Sequence, residues 1–156
     1  MRPELADIEI RTELRPGDLG SILRMHASLY AREHGYGLPF EAYAARGLLE
    51  FYEAYDPERD RAWICEHGGR MVGSLLLMHR SSGAAQLRFF LIRPEYRGLG
   101  LGKRLMELWL QLLRERGYQS AYLWTVDGLS VATALYRKHG FRLTEDGFEF
   151  GILAEL

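Results

Sequence analysis

The chain has 156 residues, of which 47% are hydrophobic and 26% are charged, and its formal net charge is −1. These values predict one globular domain over residues 1–156, and the near-neutral charge gives no reason to expect nucleic acid or an anionic membrane as a partner. The single cysteine, Cys65, excludes an internal disulfide, the five histidines show no metal-ligand pairing, and the charged N-terminus has no signal-peptide core, so we expect a cytoplasmic location and no metal.

The N-terminal half is predicted to contain three strands and two helices. Residues 7–13 alternate as a strand, and Pro16-Gly17-Asp18 begins a helix that runs to His34. Pro39 suits the first turn of a second helix, which extends to Tyr55. Two strands at residues 61–67 and 70–79 surround Gly68-Gly69, a strong hairpin signal.

The C-terminal half continues with alternating strands and helices. An apolar strand at residues 84–93 leads through a glycine-rich turn to a helix that opens at Leu101 and ends at Gly117. The remaining predicted elements are a strand at 120–126, a helix at 130–139, and strands near 141–145 and 148–154. This order predicts an α/β fold with a mixed sheet and helices on both of its faces.

Glycines 98, 100 and 102 make the turn before the Leu101 helix an anion-binding candidate. Without Cβ atoms, backbone N–H groups can point into one concavity, and the unpaired amides at a helix N-terminus favour a bound anion. The spacing fits neither a nucleotide P-loop nor the dinucleotide G-x-G-x-x-G motif. The turn therefore predicts a pyrophosphate site, and the alternative is a glycine turn that only begins a core helix.

The run Arg97-Gly98-Leu99-Gly100-Leu101-Gly102 resembles the Arg/Gln-x-x-Gly-x-Gly/Ala signature of the GNAT acetyltransferase family. Ala134-Leu135-Tyr136-Arg137-Lys138-His139-Gly140-Phe141, near the end of the chain, also resembles that family. The resemblance implies a GNAT fold, with a mixed, mostly antiparallel sheet whose strands at 84–93 and 120–126 splay apart to admit coenzyme A. It implies acetyl-CoA as co-substrate, transferred to a primary amine of a small molecule or protein.

By the same resemblance, cofactor-binding residues can be assigned on the strand and the turn. They are Phe90, Leu91, Ile92, Arg97, Gly98, Leu99, Gly100, Leu101, Gly102 and Lys103. The pyrophosphate would lie on the amides of the turn and the pantetheine along Phe90 to Ile92, where a backbone N–H would also bind the oxyanion.

Tyr136 is the candidate general acid for the departing thiolate. It projects off the core stripe formed by Val131, Ala134 and Leu135, which suits a hydroxyl directed into a cleft. In the resembling family, a tyrosine followed by basic residues and Gly-Phe has this role. The alternative is a tyrosine that only packs at the helix edge.

No general base is evident at the positions where the resembling family often carries one. Trp124 and Thr125 occupy one candidate strand, the strand at 84–93 has no acid, and Leu129 replaces a frequent asparagine. The remaining candidates for the base are a water relay, or a carboxylate or histidine from the N-terminal helices.

One face of the first helix carries a candidate acceptor site. His26, Tyr30 and Glu33 share that face and continue its apolar stripe. Glu33 could attract an ammonium and Tyr30 could offer an aromatic face, while a histidine with a pKa near 6.5 suits proton relay. A solvated helix end with a His–Glu pair is the open alternative.

A finer resemblance links Leu29-Tyr30-Ala31-Arg32-Glu33-His34-Gly35-Tyr36 and Leu123-Trp124-Thr125 to GNAT domains that are often fused behind bacterial winged-helix regulators. A DNA-binding role does not follow, because this chain contains no winged-helix domain. The sequence leaves open a homodimer, a non-catalytic acyl-CoA sensor and transfer of a longer acyl group. It does not identify the acceptor.

Overall fold

The computed structural model describes residues 2–124, 130–143 and 147–151. Its strands are β1 (Glu9–Arg11), β2 (Arg61–His67), β3 (Arg70–His79), β4 (Ala84–Ile92), β5 (Ser120–Trp124), β6 (Arg142–Leu143) and β7 (Gly147–Gly151). Its helices are α1 (Asp18–His34), α2 (Leu38–Glu53), α3 (Leu101–Glu115) and α4 (Ser130–Lys138). The chain order of these elements is the predicted one, although β1 is shorter than the strand predicted at residues 7–13.

The seven strands form one sheet in the order β1-β2-β3-β4-β5-β7-β6. The β4–β5 pair is parallel and the other recorded pairs are antiparallel, so the sheet is mixed and mostly antiparallel. Predicted strand residues 125–126, 144–145 and 152–154, together with Thr125 and Leu129, lie outside the described residues.

Helices cover both faces of the sheet. Successive side chains of a strand point to opposite faces, so buried side chains pack against helices on each side. On β2, Ala62 and Ile64 pack with α1 and α2, whereas Trp63 and Cys65 pack with α3. The predicted arrangement of helices on both faces is confirmed. Cys65 is fully buried, and burial raises the pKa of its thiol to about 12, so it behaves as a small core residue.

β4 and β5 separate after a short stretch of pairing. Their register pairs only Ala84, Ala85 and Gln86 with Ser120, Ala121 and Tyr122, although both strands continue beyond this point. This is the expected splay, and it opens a passage through the middle of the sheet.

A bulge in β4 lies at the mouth of that passage. β3 pairs Leu76 with Arg88 and Ser74 with Leu91, so Phe89 and Phe90 together oppose a single residue. Phe89 has a φ of 51°, and the Ser74 hydroxyl donates a 2.7 Å hydrogen bond to its carbonyl. The bulge bends β4 away from β5 and redirects the backbone of Phe90.

Candidate active site

The glycine turn forms a nest of unpaired backbone amides at the start of α3. β4 ends at Ile92, a short 3-10 turn follows at Pro94–Tyr96, and Gly98 and Gly100 adopt φ values of +78° and +93°. The first bond that closes the helix runs from the Arg104 amide to the Gly100 carbonyl, at 3.0 Å. Within the described parts of the chain, the amides of residues 98–103 donate no hydrogen bond, so they remain available to an anion.

The side chains of the turn leave this concavity open. Leu101 is 1% exposed and faces the core, and Leu99 is partly buried against it. A Cβ on Gly102 would lie 3.3 Å from Leu135 Cδ2 and 3.5 Å from Ile92 Cδ1. The absence of a side chain at Gly102 therefore keeps α3, α4 and the end of β4 close together, as a cradle for a phosphate requires.

Arg97 joins the glycine turn to the end of α1. Its guanidinium contacts both carboxylate oxygens of Glu33, at 2.8 and 3.1 Å, and its Nε donates to the Ile92 carbonyl at 2.9 Å. This arginine holds the pKa of Glu33 below its ordinary value. The charge of Glu33 is thus already paired, which differs from the expectation of a carboxylate free to attract an ammonium.

The splay between β4 and β5 contains a cleft of about 930 Å³. On the α3–α4 side, its wall includes the glycine turn, Lys103, Lys138 and Tyr136. On the α1–α2 side, it includes His26, Tyr30 and Glu33. The structure therefore places the predicted cofactor and acceptor residues on two sides of one passage, with the Phe90–Ile92 backbone between them.

Tyr136 lies at the centre of this passage and is more buried than its sequence position indicated. It is 6% exposed and packs against Phe90 and Phe141, with ring centroids 6.2 and 6.0 Å away. The expectation that its ring would avoid the core is wrong, because it contributes to the core and lines the cleft as well. Burial raises the pKa of its hydroxyl, which keeps the group protonated at neutral pH.

His26 is buried on the α1 side with an unused acceptor atom. Its Nδ1 lies 2.8 Å from the Ile22 carbonyl, so Nδ1 carries the proton and Nε2 has a free lone pair. Within the described residues, Nε2 has no hydrogen-bond partner. Burial lowers the pKa of His26 to about 4, which corrects the expectation of a histidine that titrates near neutrality.

Tyr30 belongs to an aromatic wall that sequence reasoning found only in part. It stacks on Phe40 with ring centroids 4.6 Å apart, and Phe89 packs edge-on against His26 at 5.2 Å. Phe40 was not predicted as a site residue because it lies in the first turn of α2, where periodicity does not show which face meets the cleft. Phe89 was missed because a bulge has no sequence signal in this run.

The described residues provide one carboxylate in the cleft wall, Glu33. Trp124 lies on β5, where the resembling family often carries a base, and it is 57% exposed and lines the cleft. No group of His, Cys, Asp and Glu suited to a metal occurs in the described ranges, and no helix there is long and apolar enough to cross a membrane. An acid–base role for the chain is therefore considered for other titratable side chains of the cleft wall, which include His26 and Tyr136.

Comparison with known proteins identifies the wider family. The sequence model of the Acetyltransferase (GNAT) family matches residues 23–141. An uncharacterized N-acetyltransferase of Schizosaccharomyces pombe is 30% identical over 147 residues, which is 93% of this chain and 88% of the relative. The uncharacterized N-acetyltransferase YjgM of Escherichia coli is 33% identical over 97 residues, 60% of this chain and 58% of the relative.

Among solved structures, the PaiA N-acetyltransferase of Thermoplasma acidophilum in complex with coenzyme A has a TM-score of 0.69 with this protein. The two chains are 18% identical, and the match covers 92% of this chain and 98% of the other. At that identity the likeness concerns the fold alone, and it agrees with the splayed mixed sheet described above.

Proposed function

We propose that this chain, which belongs to the GNAT acetyltransferase family, transfers the acetyl group of acetyl-CoA directly to a primary amine. One observation carries this proposal. A nest of unpaired amides opens into a passage through the sheet, and that passage is lined by a protonated phenol on one side and an unpaired imidazole nitrogen on the other.

The glycine turn would hold the coenzyme A pyrophosphate. The amides of residues 98–103 supply donors, and Lys103 and Lys138 add positive charge at the same end of the cleft. The PaiA N-acetyltransferase, whose fold is similar, has been solved in complex with coenzyme A, which supports coenzyme A as the cofactor of this fold. When bound, acetyl-CoA supplies an acyl group activated as a thioester, and the backbone of Phe90–Ile92 would lie along its pantetheine arm.

The bulged backbone of β4 would stabilise the charge that develops on the acetyl oxygen. The bulge at Phe89 frees the following residue from the β3 ladder, so an N–H in the Phe90–Ile92 stretch can face the splay rather than a neighbouring strand. A preplaced backbone donor of this kind contributes without reorganising during the reaction.

Tyr136 would give a proton to the departing thiolate. A thiol has a pKa of about 8.5 in water, and burial that raises the pKa of Tyr136 would raise that of a thiolate formed beside it as well. The phenol therefore remains a proton donor throughout the neutral range and can transfer its proton to sulfur as the C–S bond breaks.

His26 would orient the acceptor amine, and it would not keep the proton that the amine loses. With a pKa of about 4, its imidazole is neutral at pH 7, and Nε2 can accept an N–H bond from the amine. The amine proton would leave through water in the cleft. Glu33 would act through Arg97, by fixing α1 against the glycine turn, while Tyr30 contributes an aromatic face.

The test is incubation with acetyl-CoA and a panel of primary amines, with release of the coenzyme A thiol measured together with product mass. We expect thiol release that depends on an amine and yields a product heavier by one acetyl group. Incubation of labelled acetyl-CoA with a cell extract extends the search for acceptors. Binding of acetyl-CoA without transfer to any amine would contradict the proposal.

A further inference from the structure

A second recess of about 570 Å³ adjoins the acceptor end of the cleft, and Tyr43 and Trp124 line both cavities. Its walls come from α2, from the turn between β3 and β4, and from β5. Its main side chains are Tyr43, Arg46, Glu50, Arg80, Tyr122 and Trp124. The aromatic members include Tyr43 and Trp124, which are 53% and 57% exposed.

Among the described residues, positive charge exceeds negative charge around this recess. Glu50 alone faces both Arg80, at 3.2 Å, and Arg88, at 2.7 Å. Both arginines hold the pKa of Glu50 below its ordinary value, so its single negative charge is already paired with two guanidinium groups. Arg46 is exposed one turn away and has no ion pair within the described residues, which leaves a cationic surface without a matching anion.

Two of these guanidinium groups are held in place before any ligand arrives. Arg80 Nε donates to the side chain of Gln86 at 2.8 Å, and Gln86 is 2% exposed. Arg88 lies 5.3 Å from the Phe89 ring centroid, and its Nη2 would be 2.6 Å from a Cβ on Gly47. The glycine in α2 therefore makes room for Arg88, which lines the neighbouring cleft, while Arg80 is the fixed guanidinium of the recess itself.

We infer that this recess binds an oxyanion of the acceptor, so that the substrates are primary amines that also carry a carboxylate or phosphate. The inference rests on the proposed acetyl transfer. Guanidinium groups match both oxyanions through paired hydrogen bonds, and the aromatic walls would cover the apolar part of the acceptor. Among the residues that the structure describes, Arg46 has no anionic partner, which makes it the residue proposed to bind the oxyanion directly.

The position of the recess sets the separation between amine and anion. Arg46 lies on α2 in the recess, whereas Phe90, beside which the acetyl group would lie, is on β4 in the neighbouring cleft, so the oxyanion and the amine would bind in two different cavities. An acceptor must bridge this separation. We therefore expect transfer to favour γ-aminobutyrate or ε-aminocaproate over glycine.

The experiment measures kcat/KM for that series of amino acids, for their carboxamides, and for O-phosphoethanolamine against ethanolamine. Binding of N-acetyl-γ-aminobutyrate and its carboxamide is followed by calorimetry, which needs no turnover. Arg46→Ala tests the recess, Arg46→Lys retains the charge, and Arg24→Ala is the control, since Arg24 is an exposed helical arginine outside the recess.

The acids should bind more tightly than their carboxamides. Arg46→Ala should weaken acid binding about three- to tenfold, a range between an exposed and a partly buried ion pair, while Arg46→Lys and Arg24→Ala should change it little. If kcat/KM rises more from ethanolamine to O-phosphoethanolamine than from the carboxamides to the amino acids, phosphate is identified as the oxyanion.

Equal binding or equal turnover of acid and carboxamide, including no binding of either, would overturn the inference. Equal losses of acid binding in the Arg46→Ala and Arg24→Ala variants would also overturn the inference. Selective binding of the acid without acetylation of any amine would instead refute the proposed transfer and leave the oxyanion site standing.

Discussion

Replacing Gly102 with alanine tests the phosphate cradle more cleanly than any change at its neighbours. Gly98 and Gly100 have positive φ values, so every side chain there strains the backbone. Gly102 is helical, and its new methyl would lie 3.3 Å from Leu135 Cδ2, 3.5 Å from Ile92 Cδ1 and 3.8 Å from Phe90 Cζ. The perturbation is therefore confined to the wall between the glycine turn and β4.

The stability cost should be small because two effects oppose each other. Gly→Ala in a helix gains about 0.5–1 kcal/mol, and overpacking costs about 1–3 kcal/mol. The free energy of unfolding in urea should thus fall by no more than about 2.5 kcal/mol.

Coenzyme A affinity should fall by less than about tenfold, or 1.4 kcal/mol, because the methyl faces Leu135 and Ile92 rather than the amides of the turn, and the signature that the turn resembles has glycine or alanine at this position. Calorimetric titration of coenzyme A into the folded variant gives the value. The control is Gly20→Ala in α1, where a Cβ would meet nothing within 4 Å. It should stabilise the protein and leave affinity unchanged. A loss of affinity well beyond about tenfold in a folded Gly102→Ala variant would refute a cradle built from the backbone amides.

Three further changes test the site. Tyr136→Phe should lower kcat by roughly 10² to 10⁴ and leave coenzyme A affinity unchanged; because burial raises the pKa of Tyr136, the wild-type pH–rate profile should show no fall from its ionisation up to pH 10. Glu33→Gln should cost under about 1 kcal/mol in the free energy of unfolding at pH 7, since both members of the pair are partly exposed. Arg97 holds the pKa of Glu33 below 4.5, so urea titrations should show this cost disappearing as pH falls through that lowered pKa. Gly47→Ala should lower the free energy of unfolding, measured in urea, by no more than about 2.5 kcal/mol, because overpacking against Arg88 and the Phe89 ring is partly offset by the helical preference of alanine.

The outcomes that contradict these three expectations are distinct. Full activity of Tyr136→Phe would mean that the thiolate leaves unaided or uses another donor. A Glu33→Gln cost that persists in acid would show that the pair with Arg97 is not its source. Stabilisation by Gly47→Ala would show that Arg88 does not depend on the space beside that glycine.

The elements that build the site were predictable where the sequence pattern is local. Leu101, Leu105 and Trp109 repeat at helical spacing, and all are buried in α3 as expected. The glycine spacing likewise predicted the amide nest before α3, because it depends on backbone geometry over a few residues.

The contacts that define the chemistry depend on long-range packing and could not be read from the chain. Arg97 and Glu33 are 64 residues apart, and no local pattern links them. The low pKa of His26 arises from its burial beneath Phe89, which requires the bulge in β4. The residue type alone indicates the ordinary pKa of a histidine, and the fold lowers the pKa of His26 by removing the side chain from water.

A crystal structure of the protein with coenzyme A tests the central claim most directly. The account predicts pyrophosphate oxygens within hydrogen-bond distance of the amides of residues 98–103, pantetheine along Phe90–Ile92, and the thiol beside Tyr136. His26 Nε2 should face the thiol from the opposite side of the sheet. Coenzyme A bound away from the glycine turn, or His26 and Tyr30 directed to bulk solvent away from the thiol, would contradict it.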